Sequence, residues 1–190
     1  MNLTQLPNII TSIRLILLIP LSFYLSNDEY LLSLIIFLVA GFSDALDGYL
    51  AKKFNWVSRF GSILDPIADK ALLVITMGIL TINQIVSWPL FLCVTLRDIY
   101  IISGACFYYK SIGPFDMKPS LISKVNTFAQ LLMVTSILVS LGFHPMPKYS
   151  IEGLIILVYI TVILSTVHYS YVWGKKYKRA RQSLNNKTAN

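Results

Sequence analysis

Four aspartates are concentrated in the run DALDGYLAKKFNWVSRFGSILDPIADK, which begins at residue 44 of an otherwise apolar chain. Asp44 and Asp47 are three residues apart, so both would project from one face of a helix. The same holds for Asp65 and Asp69, which are four residues apart. Carboxylates near lipid are costly, and their like charges repel unless a cation compensates them. Clustered carboxylate oxygens suit Mg²⁺, Mn²⁺ or Ca²⁺, and Mg²⁺ is typically bound together with substrate phosphates. The four aspartates therefore predict a divalent-metal site that acts on a phosphorylated compound.

Two other interpretations of the aspartates are open at this point. Aspartates often cap helices, and one such pair alone would be weak evidence for a metal site. Acids at membrane depth can also coordinate ions in transit, so a cation transporter is the alternative of another functional class. Against transport, the acids cluster towards one end of their two segments, and no matching polar residues continue a path to the other end. A purely structural membrane scaffold would not need the carboxylates.

The composition places these acids in a membrane protein. Of the 190 residues, 55% are hydrophobic and only 13% are charged, and the mean hydropathy is +0.65. A soluble domain usually carries about twice that charged fraction. The length suits a single membrane domain over residues 1–190. The net charge of +7 comes from basic residues near segment ends and in the tail, where they act as topology signals and contact anionic lipids, so no nucleic-acid partner is expected.

Neither the cysteines nor the start of the chain indicates a secreted protein. Cys93 and Cys106 lie in apolar segments as small hydrophobic residues, and their spacing fits no disulfide framework or zinc site. The opening MNLTQLPN lacks the charged start and the cleavage site of a signal peptide, so we expect the first membrane segment to be retained.

The apolar segments predict an all-α fold of six transmembrane helices, with a short interfacial helix over residues 1–7 before the first span. The predicted spans cover residues 8–26, 30–54, 59–83, 120–141 and 151–173, and the fourth runs from the turn at 85–89 to residue 109. A basic polar tail follows over 175–190. Adjacent antiparallel helices would then bring the four acids to the same side of the membrane.

The distribution of lysine and arginine predicts the orientation in the membrane. These residues lie overwhelmingly on the side that holds both termini and the acids, and only Lys148 is clearly on the other side. By the positive-inside rule, the acids then face the cytoplasm of a bacterial inner membrane, or the matrix if the membrane is the mitochondrial inner membrane.

The spacing of the acidic run resembles the motif of the CDP-alcohol phosphotransferases. That motif has Asp, two residues, Asp-Gly, two residues, Ala-Arg, eight residues, Gly, three residues, Asp, three residues and Asp. The matching positions are Asp44, Asp47, Gly48, Ala51, Gly61, Asp65 and Asp69. Lys52 stands where the family usually has Arg, which keeps the positive charge but loses the planar bidentate fork. The resemblance covers about residues 6–177 and implies a membrane enzyme in which an acceptor hydroxyl attacks the β-phosphorus of a CDP-linked substrate and CMP leaves.

The resemblance also implies a role for each motif residue. The metal ligands would be Asp44, Asp47, Asp65 and Asp69, holding two ions of Mg²⁺ or Mn²⁺. Asp69 would be the general base on the acceptor hydroxyl, a ligand, or both. Contacts with the nucleotide and its diphosphate would come from Gly48, Ala51, Lys52 and Gly61. The alternative for the two glycines is close packing between helices.

Further candidates for contacts with the acceptor or a phosphate are Arg14, Arg97, Lys118, Ser123 and Lys124. Arg14 lies in the opening LPNIITSIRLILLIP, which resembles the usual start of the family, and its alternative is a side chain that reaches the headgroups. Arg97 is followed by Asp98 in the fourth segment, where the alternative is a buried charge pair that holds the bundle together.

The fourth and fifth segments resemble one branch of the family, the CMP-forming cardiolipin synthases, in RDIYII and KPSLISKVNTFAQLL. The branch that makes phosphatidylglycerophosphate usually has a second lysine in the fifth segment where this chain has Asn126. Fewer cations suit an acceptor phosphodiester with one charge better than glycerol 3-phosphate with about two. The resemblance therefore implies transfer of the phosphatidyl group from CDP-diacylglycerol to phosphatidylglycerol, with glycerol 3-phosphate as the alternative acceptor.

The membrane setting of such a reaction implies a way in for lipid and a partner. A lipid acceptor must reach the site sideways from the bilayer, so we expect a groove between helices that is open to lipid. The family commonly forms homodimers through membrane helices, so the resemblance also implies a homodimer among anionic membrane lipids.

Overall fold

A computed structural model describes residues 6–54, 59–112 and 120–188, with side chains described at 10–43, 68, 70–104 and 120–175. Within these ranges the chain forms six α-helices and no strand, which confirms the predicted all-α fold. The helices are α1 (Leu6–Ser26), α2 (Tyr30–Phe54), α3 (Arg59–Ile82), α4 (Trp88–Ile112), α5 (Leu121–Gly142) and α6 (Lys148–Thr188). Most of the predicted interfacial helix, residues 1–5, lies outside the described residues.

The described helix ends lie within two residues of the predicted segments, except at the end of α4 and at both ends of α6, which begins at Lys148 and not at residue 151. α4 continues past residue 109, where the fourth predicted span ends, to Ile112. α6 continues beyond the predicted span, through most of the basic tail, to Thr188, and is 41 residues long. Lysine, arginine and glutamine are good helix formers, so the loss of apolar character after residue 173 does not end the helix.

Two short turns meet at one end of the bundle. Asp28, between α1 and α2, and Gln84, between α3 and α4, have φ of 61° and 60°, the left-handed conformation of tight turns. The Asn83 side chain donates to the Leu25 carbonyl oxygen at 3.2 Å, which joins the two turns. Because helices joined by such short connections are antiparallel, the end of α2 and the start of α3 lie at the opposite end of the bundle.

The helices pack around an apolar core. α1 lies against α2 and α3, α5 lies against α2 and α6, and α4 packs on α3 and α6. The core takes buried side chains from all six helices: Leu21, Leu25, Phe37, Leu72, Met77, Leu80, Leu90, Met133, Leu138 and Val158. The outward faces carry many exposed large apolar residues, among them Ile16, Phe23 and Ile163. Such faces suit helices that are surrounded by lipid.

Two of the helices are long and apolar enough to cross a membrane among the residues that the structure describes, over Leu121–Gly142 and Lys148–Lys175. α1, α2 and α3 contain shorter apolar stretches, Ile10–Ser26, Tyr30–Ser43 and Lys70–Ile82. These lengths support association with a membrane, and the count of six spans stays a prediction.

Candidate active site

The two pairs of aspartates lie on two helices that contact each other. Asp44 and Asp47 lie towards the end of α2, and Asp65 and Asp69 lie towards the start of α3. The helical spacing predicted for each pair is thereby confirmed. Both pairs are in the half of the bundle that is remote from the two short turns. The side chains of the four aspartates lie outside those that the structure describes, so their convergence on a metal stays a prediction.

The other motif residues lie in the same half of the bundle. Gly48, Ala51 and Lys52 are on the last turns of α2, and Gly61 is in the first turn of α3. The described side chains do not include these positions. Lys118, a predicted contact with the acceptor, lies outside the described residues.

A buried polar network joins four helices beside the α3 half of the motif. Lys70, which directly follows the last motif aspartate, pairs with Asp98 of α4, with 2.8 Å between Nζ and Oδ2. Arg97 donates from Nη1 to the other carboxylate oxygen, Oδ1, at 2.7 Å. From Nη2, Arg97 donates to the hydroxyl of Ser123 on α5 at 2.8 Å and to the hydroxyl of Ser165 on α6. The network therefore ties α3, α4, α5 and α6 together.

Burial makes complete pairing necessary in this network. Arg97 is only 4% exposed and Asp98 only 7%. Removing one partner of such a buried pair typically costs about 3–5 kcal/mol, because the remaining charge is left uncompensated. The network holds two cations and one carboxylate, so these three described side chains carry one net positive charge. The acid next to this charge in the sequence is Asp69, which directly precedes Lys70.

Arg14 lies inside the bundle. Its side chain is fully buried on α1, the helix that packs against both aspartate-bearing helices. The interpretation in which Arg14 reaches out to lipid headgroups does not fit this burial, because a side chain in that role is exposed at its charged end. A buried guanidinium needs anionic or strongly polar partners, and the contact of Arg14 with a phosphate stays a prediction.

The start of α5 holds the remaining predicted acceptor contacts. Ser120 caps the helix, since its hydroxyl accepts from the backbone N–H of Ser123 at 3.2 Å. Asn126 is fully buried, and its Oδ1 accepts from the hydroxyl of Thr161 on α6 at 3.0 Å. Of the two predicted contacts on this helix, Ser123 is engaged in the polar network and Lys124 is an exposed cation.

A sequence model of the CDP-alcohol phosphatidyltransferase family matches residues 4–168. The chain belongs to this family. The matched region contains both aspartate pairs and every residue of the polar network. The family membership predicted from the motif is thereby confirmed.

Relatives of the chain carry names of two kinds. Cardiolipin synthase (CMP-forming) from Homo sapiens is 30% identical over 92% of this chain. The CDP-diacylglycerol–glycerol-3-phosphate 3-phosphatidyltransferase of Aquifex aeolicus is 31% identical over 89% of this chain and 92% of its own length. The enzyme of that name from Rickettsia felis is 30% identical over 91% of this chain and 97% of its own length. The chain spans 63% of the length of the human protein. These identities do not separate the two groups.

Two residues of the polar network, Lys70 and Ser165, are not among the site residues that the sequence predicts. The sequence does contain a signal for Lys70, because this lysine is the next residue after Asp69, a proposed metal ligand. Ser165 carries no local signal, because it is 68 residues from Arg97 and lies in an apolar helix, where serine often serves for packing.

The predicted metal site depends on the family motif. Among the residues whose side chains are described, no group of three or more His, Cys, Asp or Glu could hold a metal ion, and the four motif aspartates are not among those residues. As a donor set the aspartates fit Mg²⁺ or Mn²⁺, because carboxylate oxygens are hard ligands.

Proposed function

We propose that this chain is a CMP-forming phosphatidyltransferase that moves the phosphatidyl group of CDP-diacylglycerol to the hydroxyl of an acceptor. The observation that carries the proposal is the family match over residues 4–168, which includes four aspartates at the motif spacing on two contacting helices. The names of the relatives add the substrates, since one group is CMP-forming and the other uses CDP-diacylglycerol.

In the proposed mechanism the motif aspartates hold the donor and activate the acceptor. Two divalent ions, Mg²⁺ or Mn²⁺, held by Asp44, Asp47 and Asp65, would neutralise the diphosphate and make CMP a better leaving group. Asp69 takes the proton of the acceptor hydroxyl, whose oxygen forms a bond to the β-phosphorus. The bond from that phosphorus to the bridging oxygen breaks, and CMP leaves with this oxygen. Lys52 faces the diphosphate and offsets its charge.

The proposed acceptor is phosphatidylglycerol, which makes cardiolipin the product. Asn126 supports this acceptor, because it is buried in helix packing against Thr161 and brings no charge to the position where the other branch usually has a lysine. A phosphodiester acceptor carries one negative charge, whereas glycerol 3-phosphate carries about two. Glycerol 3-phosphate is the second candidate, favoured by the names of the two bacterial relatives.

A groove between α2 and α5 supports lateral access for a lipid substrate. It has a volume of about 340 Å³ and is lined by Phe37, Leu38, Gly41, Phe42, Phe128, Leu131, Leu132 and Thr135. Phe37 and Gly41 lie seven and three residues before Asp44, the spacing of one helix face, so the groove follows α2 towards the motif. From Phe37 to Asp44 the helix rises about 10 Å. In this proposal an acyl chain of CDP-diacylglycerol lies in the groove while the diphosphate reaches the aspartates.

Two glycines explain why α2 and α5 leave this space. At Gly142, the last residue of α5, a Cβ would lie only 2.6 Å from the backbone nitrogen of Leu31 on α2. At Gly41 a Cβ would meet no atom within 4 Å. The two helices are therefore in close backbone contact near the start of α2 and leave open space nearer to the aspartates.

The same proposal includes the membrane setting. The protein would be integral to a bacterial inner membrane, or to the mitochondrial inner membrane in a eukaryote, and would work as a homodimer among anionic lipids. The two apolar helices that are long enough to span support membrane integration. The bias of lysine and arginine towards the acid-bearing side supports an active site that faces the cytoplasm or the matrix.

The test of this function is the identity of the product. The full chain, purified and placed in liposomes, receives CDP-diacylglycerol with Mg²⁺ or Mn²⁺ and either phosphatidylglycerol or glycerol 3-phosphate. Release of CMP and the lipid products are measured together. Asp47→Asn removes one proposed ligand charge and should abolish turnover. Glu152→Gln is the matched control, because Glu152 is an exposed acid of α6 and its loss should leave the rate unchanged.

Each outcome decides between the candidates. Cardiolipin together with CMP, absent with Asp47→Asn, supports the proposal. Phosphatidylglycerophosphate as the product would support the proposed catalytic residues and would show that the acceptor is glycerol 3-phosphate. No metal-dependent CMP with either acceptor contradicts the enzyme function and favours the cation transporter, which ion flux into the same liposomes would reveal.

A further inference from the structure

The ion pair of Lys70 with Asp98 is in a position to control the direction of the α3 aspartates. Lys70 directly follows Asp69, and its Nζ lies 2.8 Å from Oδ2 of Asp98. The pair is shielded, since the Asp98 side chain is 9% exposed and that of Lys70 is 28% exposed. Consecutive residues on a helix are about 100° apart around its axis, so the rotation of α3 that places residue 70 beside Asp98 also sets the positions of residues 65 and 69 around that axis.

Asp98 is held rigidly by the rest of the network. Its second carboxylate oxygen accepts from Arg97 at 2.7 Å. Arg97 is in turn anchored to the hydroxyls of Ser123 on α5 and Ser165 on α6. The Asp98 carboxylate is therefore connected through Arg97 to α5 and α6, and Lys70 connects α3 to it.

The described part of α3 has no other polar attachment of this kind. Among the described side chains of this helix, at 68 and 70–82, the other polar ones are those of Thr76 and Thr81. Both hydroxyls donate to carbonyl oxygens of α3 itself, at Leu72 and Met77. The remaining described contacts of α3 are apolar, and apolar contact is non-directional. Among the described side chains, the ion pair to Asp98 is therefore the polar contact that links these turns of α3 to another helix.

We propose that Asp98 is a positioning residue which, through Lys70, sets the rotation of α3 and so aims Asp65 and Asp69 at the metal and the acceptor. The inference rests on the proposed function for the roles of these two aspartates. Asp98 acts through Lys70 and does not itself touch the substrate. The competing explanation is that the ion pair only stabilises the bundle.

The test compares metal binding with stability in the full purified chain. Binding of Mn²⁺ is followed by electron paramagnetic resonance in detergent without substrate, CMP release is followed in liposomes, and the midpoint of thermal unfolding is recorded. Asp98→Asn should lower the midpoint and raise the half-saturating Mn²⁺ concentration about tenfold, with a lower kcat. Asp98→Glu keeps the carboxylate and should recover part of both the Mn²⁺ affinity and kcat.

A double variant separates the two explanations. In Lys70→Met with Asp98→Asn, both charges of the ion pair are removed together, so no cation on α3 is left buried without a partner. The unfolding midpoint should recover in part relative to Asp98→Asn, because Arg97 still lacks its carboxylate, while the tenfold loss of Mn²⁺ affinity and the low kcat persist. Recovery of Mn²⁺ affinity and kcat together with the midpoint would show a purely stabilising role and overturn the proposal.

Ser165→Ala is the matched control. It removes one hydrogen bond of Arg97 and leaves the Lys70–Asp98 pair in place. The unfolding midpoint should fall, and the half-saturating Mn²⁺ concentration should stay within twofold of wild type. A tenfold shift in this control would contradict the proposal, since the metal site would then respond to any loss in the network. A wild-type chain that binds Mn²⁺ but releases no CMP would refute the proposed function alone.

Discussion

The polar network of α3 to α6 and the apolar groove between α2 and α5 differ in how their side chains are satisfied. In the network, the carboxylate of Asp98 has a cation on each oxygen, and Arg97 reaches two further helices. In the groove, eight residues line about 340 Å³ without filling it, and a Cβ at Gly41 would touch nothing. The network leaves little freedom to its four helices, whereas the groove leaves room for another molecule.

This difference shows how one small bundle can combine rigidity with lipid access. Buried charges stabilise only in one arrangement, because each needs its partner at the right distance and angle. Apolar surfaces tolerate exchange of one apolar neighbour for another, so an acyl chain can replace membrane lipid in the groove at little cost. Along the chain both regions adjoin the motif, since Lys70 directly follows Asp69 and Gly41 lies three residues before Asp44.

The largest expected effect comes from breaking the network at its centre. Arg97→Met removes the cation that links α4 to two other helices and leaves Asp98 with Lys70 alone. We expect a loss of about 3–5 kcal/mol in the free energy of unfolding, measured by denaturant titration in mixed micelles. Lys148→Met, at an exposed cation, should change it by less than about 0.5 kcal/mol. Equal effects of both variants would show that the buried network has no special importance.

A smaller effect is expected at the close contact between α2 and α5. Gly142→Ala places a Cβ 2.6 Å from the Leu31 backbone, so the two helices must move apart. The expected loss in the free energy of unfolding is about 1–3 kcal/mol. Gly153→Ala on α6 is the control, since its Cβ would meet nothing and alanine favours a helix by up to about 1 kcal/mol. An unchanged stability of Gly142→Ala would mean that the helices are not in fixed contact there.

Filling the groove should affect catalysis while leaving the fold intact. Gly41→Leu projects an apolar side chain into the open space. We expect KM for long-chain CDP-diacylglycerol to rise about tenfold, which corresponds to about two methylenes of the acyl chain that are no longer buried in the groove. A donor with short acyl chains should be unaffected. Gly153→Leu makes the same change at another open position and should leave both KM values unchanged. If both donors respond equally to Gly41→Leu, the groove does not hold an acyl chain.

The smallest effect is expected at the contact between α5 and α6, where the Thr161 hydroxyl donates to Asn126. Thr161→Val keeps the shape, removes this hydrogen bond and should cost about 1 kcal/mol of unfolding free energy. Thr166→Val is matched to it, because the Thr166 hydroxyl donates only to the Val162 carbonyl oxygen of its own helix among the described contacts. Its effect should be smaller. The reverse order would show that the link between α5 and α6 contributes little.

Much of the fold could be predicted because its signals are local. The apolar segments predicted the helices, and the predicted ends agree with the observed ends of α2, α3 and α5 to within one residue. The motif spacing predicted the family, and the family match confirmed it. The predictions erred where composition was used to end a helix, at the end of α4 and in the tail that belongs to α6. Charged residues end an apolar stretch, but most of them favour a helix, so the helix continues beyond the apolar stretch.

The candidate site was predictable only in part. Four aspartates at helical spacing, and the adjacency of Arg97 and Asp98, are properties of the chain itself. That Arg14 is fully buried, and that Asp98 faces Lys70, depends on how separate helices pack. The partners of Arg97 are 26 and 68 residues away, and no periodicity of one helix encodes a contact over such a separation.

The helices and the residue types of the motif are encoded locally in the chain, because helical periodicity and residue spacing act within a few turns. Which buried charges meet, and where α2 and α5 leave a groove, depends on how the helices pack together. Those features follow from the simultaneous packing of six helices, in which the need to pair each buried charge selects one arrangement among many that apolar contact would allow.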